Sequence, residues 1–398
     1  MIRINLTESG SAVQEELTAE QAAALAASGI VRVEQGRRAG LWRVSGRRLV
    51  GAARINGVDL RISPKTPINQ VLFLLGYAAA PGRWRSEPVT AAESEGLLPA
   101  VSYAFVRAAE RATRHGPLQG YRTVEDTLPV IRGRVRPADQ LRRHFGRSYP
   151  AEVSYEEFTE DIAENRILKA AAHRLLSLPD VPTSCRAGLR RVVTALSDVG
   201  EPEGGPPQHQ PGSSGVHDAR FDSAVRLGEL VLRGASYDLQ HRGTVYVDGL
   251  LLNMEKVFQD FVVGALADAL RPYGGTVHPQ DRRHFLDHGG RVQLLPDLVW
   301  CRNDGRPAGV ADAKYKAEKI RGHPNADLYQ MASYCLGLGL DRGHLVYAAG
   351  EAPVSRHTVR NSGIELVRHA VQLAAEPAVV LDAMAVIAAD IAAGLPGG

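Results

Sequence analysis

The stretch Leu294–Lys316, LLPDLVWCRNDGRPAGVADAKYK, holds two mostly apolar segments joined by a polar connection. Asp297 stands inside the first segment, and Asp312 and Lys314 stand near the end of the second. Each occupies a place where a sheet usually takes a valine, and a buried carboxylate is costly unless a partner or a metal compensates it. Strand side chains alternate, so Asp312 and Lys314 project from one face while Ala313 points away. Asp304-Gly305 in the connection is a turn signal, and a hairpin there brings Asp297 beside Asp312. Two close carboxylates repel, and a hard divalent cation such as Mg²⁺, which takes oxygen ligands and keeps several waters, resolves the repulsion. A water that loses its proton more readily on the ion is a nucleophile for a phosphodiester. Lys314 then orients that water or stabilises charge at phosphorus.

The spacing is P-D-x(14)-D-x-K from Pro296 to Lys314. The following segment, NADLYQMASYCLGLG, reads as a helix carrying Asp327, Gln330 and Tyr334, the last two one turn apart on a single face. Such a pair could hold metal waters or a phosphate, a purely packing role being the alternative. Glu255, on the helix that opens the C-terminal part, is a further carboxylate that could reach the metal through water, a solvated helix face being the alternative. An exposed salt-bridged hairpin is the non-catalytic alternative for the central residues.

At 398 residues the chain has room for two or three domains, and its 44% hydrophobic and 23% charged residues are those of a soluble globular protein. The net charge of +3 decides little, but its distribution is uneven. Eight arginines and one lysine lie between Arg32 and Lys65, against Glu34 and Asp59 alone. A second basic run, IRGRVRPADQLRRHFGR (Ile131–Arg147), includes Arg132, Arg134, Arg142 and Arg143 and a single acid, Asp139. Such runs suit phosphate contacts or an acidic protein face. Cys185, Cys301 and Cys335 have neither disulfide-framework nor zinc spacing. No signal-peptide pattern opens the chain, and the longest apolar run, Val71–Ala80, is too short to span a bilayer, so a cytoplasmic protein is expected.

Along the chain, IVRVEQ, LWRVSGRRLVGAARI and VDLRIS alternate as antiparallel strands do, and INQVLFLLGYAA reads as a helix. A helix follows in EGLLPAVSYAFVRAAERATRHG and a strand in EVSYEEF. Asp161 and Glu164 have capping-box spacing at the start of the next helix, whose Ile167, Leu168, Ala171, Ala172, Leu175 and Leu176 form a core stripe. Residues 201–218, rich in Gly and Pro, read as a flexible loop. After it come a helix in LLNMEKVFQDFVVGALADAL, strands in HFLD, RVQLLPDLVWC and PAGVADAKYK, the helix with Gln330, strands GHLVYAAG and GIELVRHAV, and a closing helix. The expected class is α/β (α+β): an N-terminal small β-rich domain with helices over residues 1–120, a basic helical connecting region over 121–245, and a C-terminal module with a mixed sheet over 246–398.

Several stretches resemble the McrC family, the nuclease subunit of McrBC-type modification-dependent restriction systems. They are ISPKTP with LFLLGYA; LPVIRGRVRPADQLRRH; YEEFTEDIAENRILKAA; LLNMEKVFQDFV; and LLPDLVW with DAKYK, in that order from about residue 55 to 335. The resemblance implies a PD-(D/E)xK restriction-endonuclease-like domain cutting double-stranded, methylated DNA. It makes Asp297 and Asp312 metal ligands, the Ala313 carbonyl a third, and Lys314 the catalytic lysine, with Mg²⁺ as cofactor and Mn²⁺ as a substitute. Gln330 and Tyr334 are similar to the QxxxY element of RecB-like branches. The family often carries an acid after the phenylalanine of the opening helix, where this chain has Gln259. The resemblance also implies docking of the N-terminal half on an McrB-like AAA+ GTPase hexamer, with the arginines around Arg132 and Arg134 facing protein or DNA. The chain has no phosphate-binding GxxxxGK[ST] loop of its own. A catalytically silent activator of the ring and a stand-alone DNA repair nuclease are the rival readings.

Overall fold

Alternation at Ile2, Ile4 and Leu6 makes the first segment a half-buried strand, β1 (Ile2–Thr7), which the basic and polar residues around it hide at the sequence level. After β2 (Val13–Glu16), Thr18 and Gln21 exchange backbone and side-chain bonds as a capping box and start α1 (Ala19–Ala27). β3 (Val31–Gln35), β4 (Leu41–Gly46), β5 (Leu49–Ile55), β6 (Val58–Ser63) and α2 (Ile68–Ala79) follow. β2, β4 and β3 form a small antiparallel sheet. A second sheet has the order β1-β6-β5-β10, in which β5 and β6 are antiparallel and β1 and β6 parallel. The computed structural model describes residues 2–79, 96–178, 181–200, 218–240, 247–317, 325–350 and 352–393. The loop expected at 201–218 lies, apart from residue 218, outside them.

The chain gathers into two compact units, one of residues 1–97, 243–247 and 251–398 and the other of 98–242 with 248–250. The second contains α3 (Leu97–Thr113) from its second residue on, β7 (Gly120–Leu128), β8 (Arg134–Val135), α4 (Pro137–Arg143), β9 (Ala151–Thr159), α5 (Ala163–Ser177), α6 (Thr183–Ala195) and α7 (Ala219–Gln240). β9 is the middle strand of a three-stranded antiparallel sheet between β7 and β8. The expected capping box at Asp161 is absent: the cap position is Ile162, without a side-chain bond. Asp161 instead takes the Arg166 guanidinium at 2.6 and 2.8 Å, the Gly200 amide at 2.9 Å and an ion pair from Arg122. Ion pairing therefore outcompetes local capping for that carboxylate.

The C-terminal elements are β10 (Val247–Asn253), α8 (Met254–Leu270), β11 (Thr276–Pro279), β12 (Leu298–Cys301), β13 (Pro307–Ala317), α9 (Asn325–Leu338), β14 (Arg342–Ala349), β15 (Val354–Thr358), β16 (Glu365–Ala370) and α10 (Pro377–Ala393). Leu251–Asn253 are strand and not the helix start expected of them; Asn253 caps α8 through the Glu255 and Lys256 amides. HFLD contributes only a bridge from Phe285 to Gln293. The mixed sheet has the order β11-β12-β13-β14-β16-β15, with β13, β14 and β16 mutually parallel and the remaining pairs antiparallel. Val310, Leu345 and Leu366 pack with Met331, Tyr334 and Cys335 of α9. α8 and α10 pack together and against β13. Gly309 permits the approach of α10, because a Cβ there would sit 2.5 Å from Ile391. The apolar stripe of α8 is buried as expected, and Phe261 meets Phe73 and Tyr77 of α2 edge-on, with centroids 5.4 and 5.6 Å apart.

Candidate active site

β12 and β13 form the expected hairpin, with Gly305 at φ +82 in the connection, a conformation natural to glycine. Leu298 lies opposite Ala311, so one further step sets Asp297 opposite Asp312. The Ala313 amide donates to Asp297 Oδ2 at 2.8 Å. A strand residue presents its N–H and C=O to the same neighbour, so the Ala313 carbonyl opens on the Asp297 side as well. Asp312 is 3% exposed. Its Oδ2 has the Lys314 ammonium against it but no directed hydrogen bond. Burial first, and then the facing Asp297 charge, push the Asp312 carboxyl up to about 6 against the pull of Lys314. Burial also raises Asp297, opposed by the Ala313 amide, Lys314 and Gln259.

Lys314 donates to Gln330 Oε1 at 2.9 Å, Gln330 donates to the Tyr334 hydroxyl at 2.8 Å, and that hydroxyl donates to the Leu295 carbonyl at 2.9 Å. The helix pair therefore holds the lysine. The Leu295 carbonyl closes this chain of bonds two residues before Asp297, fastening α9 to the motif. Removing the Tyr334 hydroxyl leaves the Leu295 carbonyl without its donor, so Tyr334→Phe should lower the unfolding free energy by about 1–2 kcal/mol. Urea melts of the two proteins check this. A loss below about 0.3 kcal/mol would show that solvent replaces the bond.

The remaining candidates separate. Glu255 forms an ion pair with Arg48 at the first turn of α8. One turn further on, Gln259 donates its amide to Asp297 Oδ1. The helix residue beside Asp297 is thus an amide. Asp327 is buried against the Tyr347 hydroxyl at 2.9 Å and Lys316 at 2.7 Å, as a structural anchor of α9. In the second unit Arg132, Arg134, Arg142 and Arg143 are all exposed. Arg132 lies 4.1 Å over the Tyr155 ring, Arg142 pairs with Asp139 at 2.7 Å and Arg143 with the buried Glu152 at 3.2 Å. Among the described residues Arg134 forms no ion pair. Val130, Ile131, Leu141, Phe145 and Tyr149 are exposed between and beside them, and Tyr121 and Phe158 form an exposed pair with centroids 5.2 Å apart.

Among the described residues one other cluster carries metal-ligand residue types: His344 on β14, His369 on β16 and Asp390 on α10. The imidazoles are buried, with His344 Nδ1 3.0 Å from His369 Nε2. Asp390 is already committed to Arg356 at 2.8 Å and Arg342 at 3.4 Å, and both arginines also pair with Glu365, so we read the cluster as a polar bolt. Burial pushes His344 down to about 3 and His369 down to about 4, with neighbouring positive charge adding to the effect. The unfolded chain therefore takes up protons below about pH 6.5 that the folded chain refuses, and stability falls as pH drops from there towards 4. Chemical melts at pH 7.5 and 5.5 should show a loss of about 1 kcal/mol per histidine, missing from a His344→Leu/His369→Leu variant. Asp312, whose raised carboxyl acts in the opposite sense, is common to both proteins and drops out of the difference. An equal slope in both would refute the assignment.

Mixed-sheet geometry with two facing carboxylates, an adjacent lysine and an α9 tether defines an α/β chain with an acid–acid–lysine centre. The chain belongs to the family described as McrBC 5-methylcytosine restriction system component, whose sequence model matches residues 44–348. Among solved structures it is similar in fold to a chain of the refined half-complex from the tetradecameric assembly of Thermococcus gammatolerans McrB AAA+ hexamers with bound McrC. That match has 16% identity and a TM-score of 0.53, over 97% of this chain and 99% of that one. A chain of the cryo-EM structure of the Thermococcus gammatolerans McrBC complex matches at 18% identity over 67% of this chain and 88% of that one, with a TM-score of 0.37. No curated protein matches the chain. Among the described residues no helix is long and apolar enough to cross a membrane.

Proposed function

We propose that the chain is the Mg²⁺-dependent endonuclease subunit of an McrBC-like, modification-dependent restriction system, and that it docks on an AAA+ GTPase ring. The observation that carries the catalytic part is the facing pair of the half-buried Asp297 and the buried Asp312, with the Lys314 ammonium against Asp312. Two carboxylates against one lysine leave negative charge uncompensated in a buried place, and the oxygen donors there fit a hard cation. Asp297, Asp312 and the Ala313 carbonyl would hold Mg²⁺, or Mn²⁺ in its place. When bound, the ion polarises a phosphoryl oxygen and eases loss of a proton from water. Gln259 and the Ala313 amide fix the orientation of Asp297. Gln330 holds the Lys314 ammonium beside Asp312, where it is set to stabilise negative charge growing on phosphate oxygens.

Family membership and the fold shared with a chain in an McrB AAA+ hexamer assembly support the partner. So does the second unit, where exposed aromatic and aliphatic side chains alternate with arginines. An apolar surface of that kind suits a protein partner better than phosphates alone. Double-stranded, methylated DNA is the substrate in this reading. The experiment is cleavage of methylated and unmethylated plasmid by the chain with Mg²⁺, alone and with an McrB-like GTPase and GTP. Cutting that requires methylation, GTPase and Asp312 supports the reading. Cutting by the chain alone would make it an independent nuclease, and stimulated GTP hydrolysis with no cutting would make it a silent activator.

A further inference from the structure

Beyond Lys314 the catalytic strand leaves its ladder. β13 pairs with β14 in regular parallel register as far as Lys314 opposite Tyr347, and the register then shifts before Ala317 meets Ala349. Lys314 is therefore the last residue held by regular pairing, and what secures Tyr315 helps decide where the lysine is aimed. Tyr315 points to the opposite face by strand alternation. Its ring packs near Phe258 of α8 with centroids 5.9 Å apart. Its hydroxyl donates to Glu8 Oε2 at 3.1 Å and lies 3.4 Å from the Thr66 hydroxyl.

Glu8 and Thr66 come from the ends of neighbouring strands. Glu8 follows β1 directly, Thr66 lies three residues beyond β6, and β1 and β6 pair up to Thr7 opposite Ser63. The ISPKTP stretch, prominent in the sequence but without an assigned task, supplies this second partner. Glu8 is 2% exposed, and its backbone amide bonds the Ser63 carbonyl at 2.9 Å. Burial pushes its carboxyl up, with the Tyr315 hydroxyl and the Lys65 amide pulling back. A carboxyl buried this deeply is a poor choice for stability alone, because a neutral polar or apolar residue there avoids the desolvation. The position keeps an acid that grips a hydroxyl one residue from the lysine.

We infer that Glu8 and Tyr315, with Thr66, are positioning residues of the proposed nuclease: the β1–β6 end clamps Tyr315 and so aims Lys314 at the site. The inference rests on the catalytic reading above, and its test separates the two. The full chain, with an McrB-like GTPase, GTP and methylated plasmid, is compared as wild type, Tyr315→Phe, Glu8→Ala, Glu8→Gln, the Glu8→Ala/Tyr315→Phe double variant and Asp312→Ala. Tyr315→Phe and Glu8→Ala should each lower kcat about tenfold with KM for DNA and stimulated GTP hydrolysis unchanged. Glu8→Gln, which keeps an acceptor of the same shape, should restore the rate to within about twofold, and the double variant should be no slower than either single one. Wild-type cutting by Tyr315→Phe, multiplied losses in the double variant, or rate losses that simply follow the folded fraction would overturn it. If Tyr315→Phe is insoluble, Glu8→Ala against Glu8→Gln makes the same comparison. Cutting by Asp312→Ala would instead remove the catalytic reading itself.

Discussion

Asp312→Asn is expected to abolish cleavage, with a fall of at least about 10³-fold, equivalent to about 4 kcal/mol of transition-state stabilisation. The amide keeps the shape of the site but gives up one of the two facing charges that would hold the cation. The same substitution should leave the metal-free protein more stable, by about 1–3 kcal/mol, because a buried carboxylate opposite another is replaced by a neutral group. Added Mg²⁺ should raise the unfolding temperature of the wild type and not that of the variant, since only a ligand that binds the native state stabilises it. Cleavage assays and melts with and without Mg²⁺ report all three effects. A destabilised, metal-free Asp312→Asn protein would mean that the carboxylate serves the fold, and the catalytic assignment would go with it.

Lys314→Ala should also lose cleavage, by about 10²–10³-fold, but with the opposite effect on stability. Asp297 and Asp312 then face each other without the ammonium, and Gln330 loses its donor. The metal-free variant should unfold about 1–3 kcal/mol more easily than wild type. Mg²⁺ should recover much of that loss while leaving cleavage impaired. A stability loss that Mg²⁺ does not recover would argue that no cation is held between the acids. Gel filtration with an McrB-like ring, unchanged in both variants, separates these losses from failed assembly.

The centre was legible in the sequence because strand alternation and a turn signal are local. They set Asp297 opposite Asp312, and Lys314 on the same face as Asp312, without reference to the rest of the chain. The helix residue beside Asp297 was not legible in the same way. Glu255 offered the right chemistry, but Arg48, more than two hundred positions away, takes its carboxylate, and Gln259 one turn on meets the motif. Gln330 and Tyr334 were identified by spacing, but the bond from Lys314 to Gln330 depends on β13 meeting α9, which the spacing does not show. Glu8 and Tyr315 meet across 307 positions, a pairing that no local pattern encodes. Other omissions had visible signals. β1 alternates, Thr18 and Gln21 form a capping box, and β15 is a short edge strand with alternating exposure. The expected capping by Asp161 failed because two arginines and a backbone amide compete for that carboxylate.

The four-stranded sheet that carries Glu8 also sets an order of events on the ribosome. β5 ends at Ile55, while β10, its neighbour on the outer side, begins only at Val247. At roughly 5–20 residues per second, the emerging strands wait for tens of seconds with that edge open. The segment between them contains nearly the whole of the second compact unit and can close first. A nascent chain stalled before residue 247 would thus present an unfinished sheet edge, a template for wrong pairing that chaperones would need to shield until the last third is made.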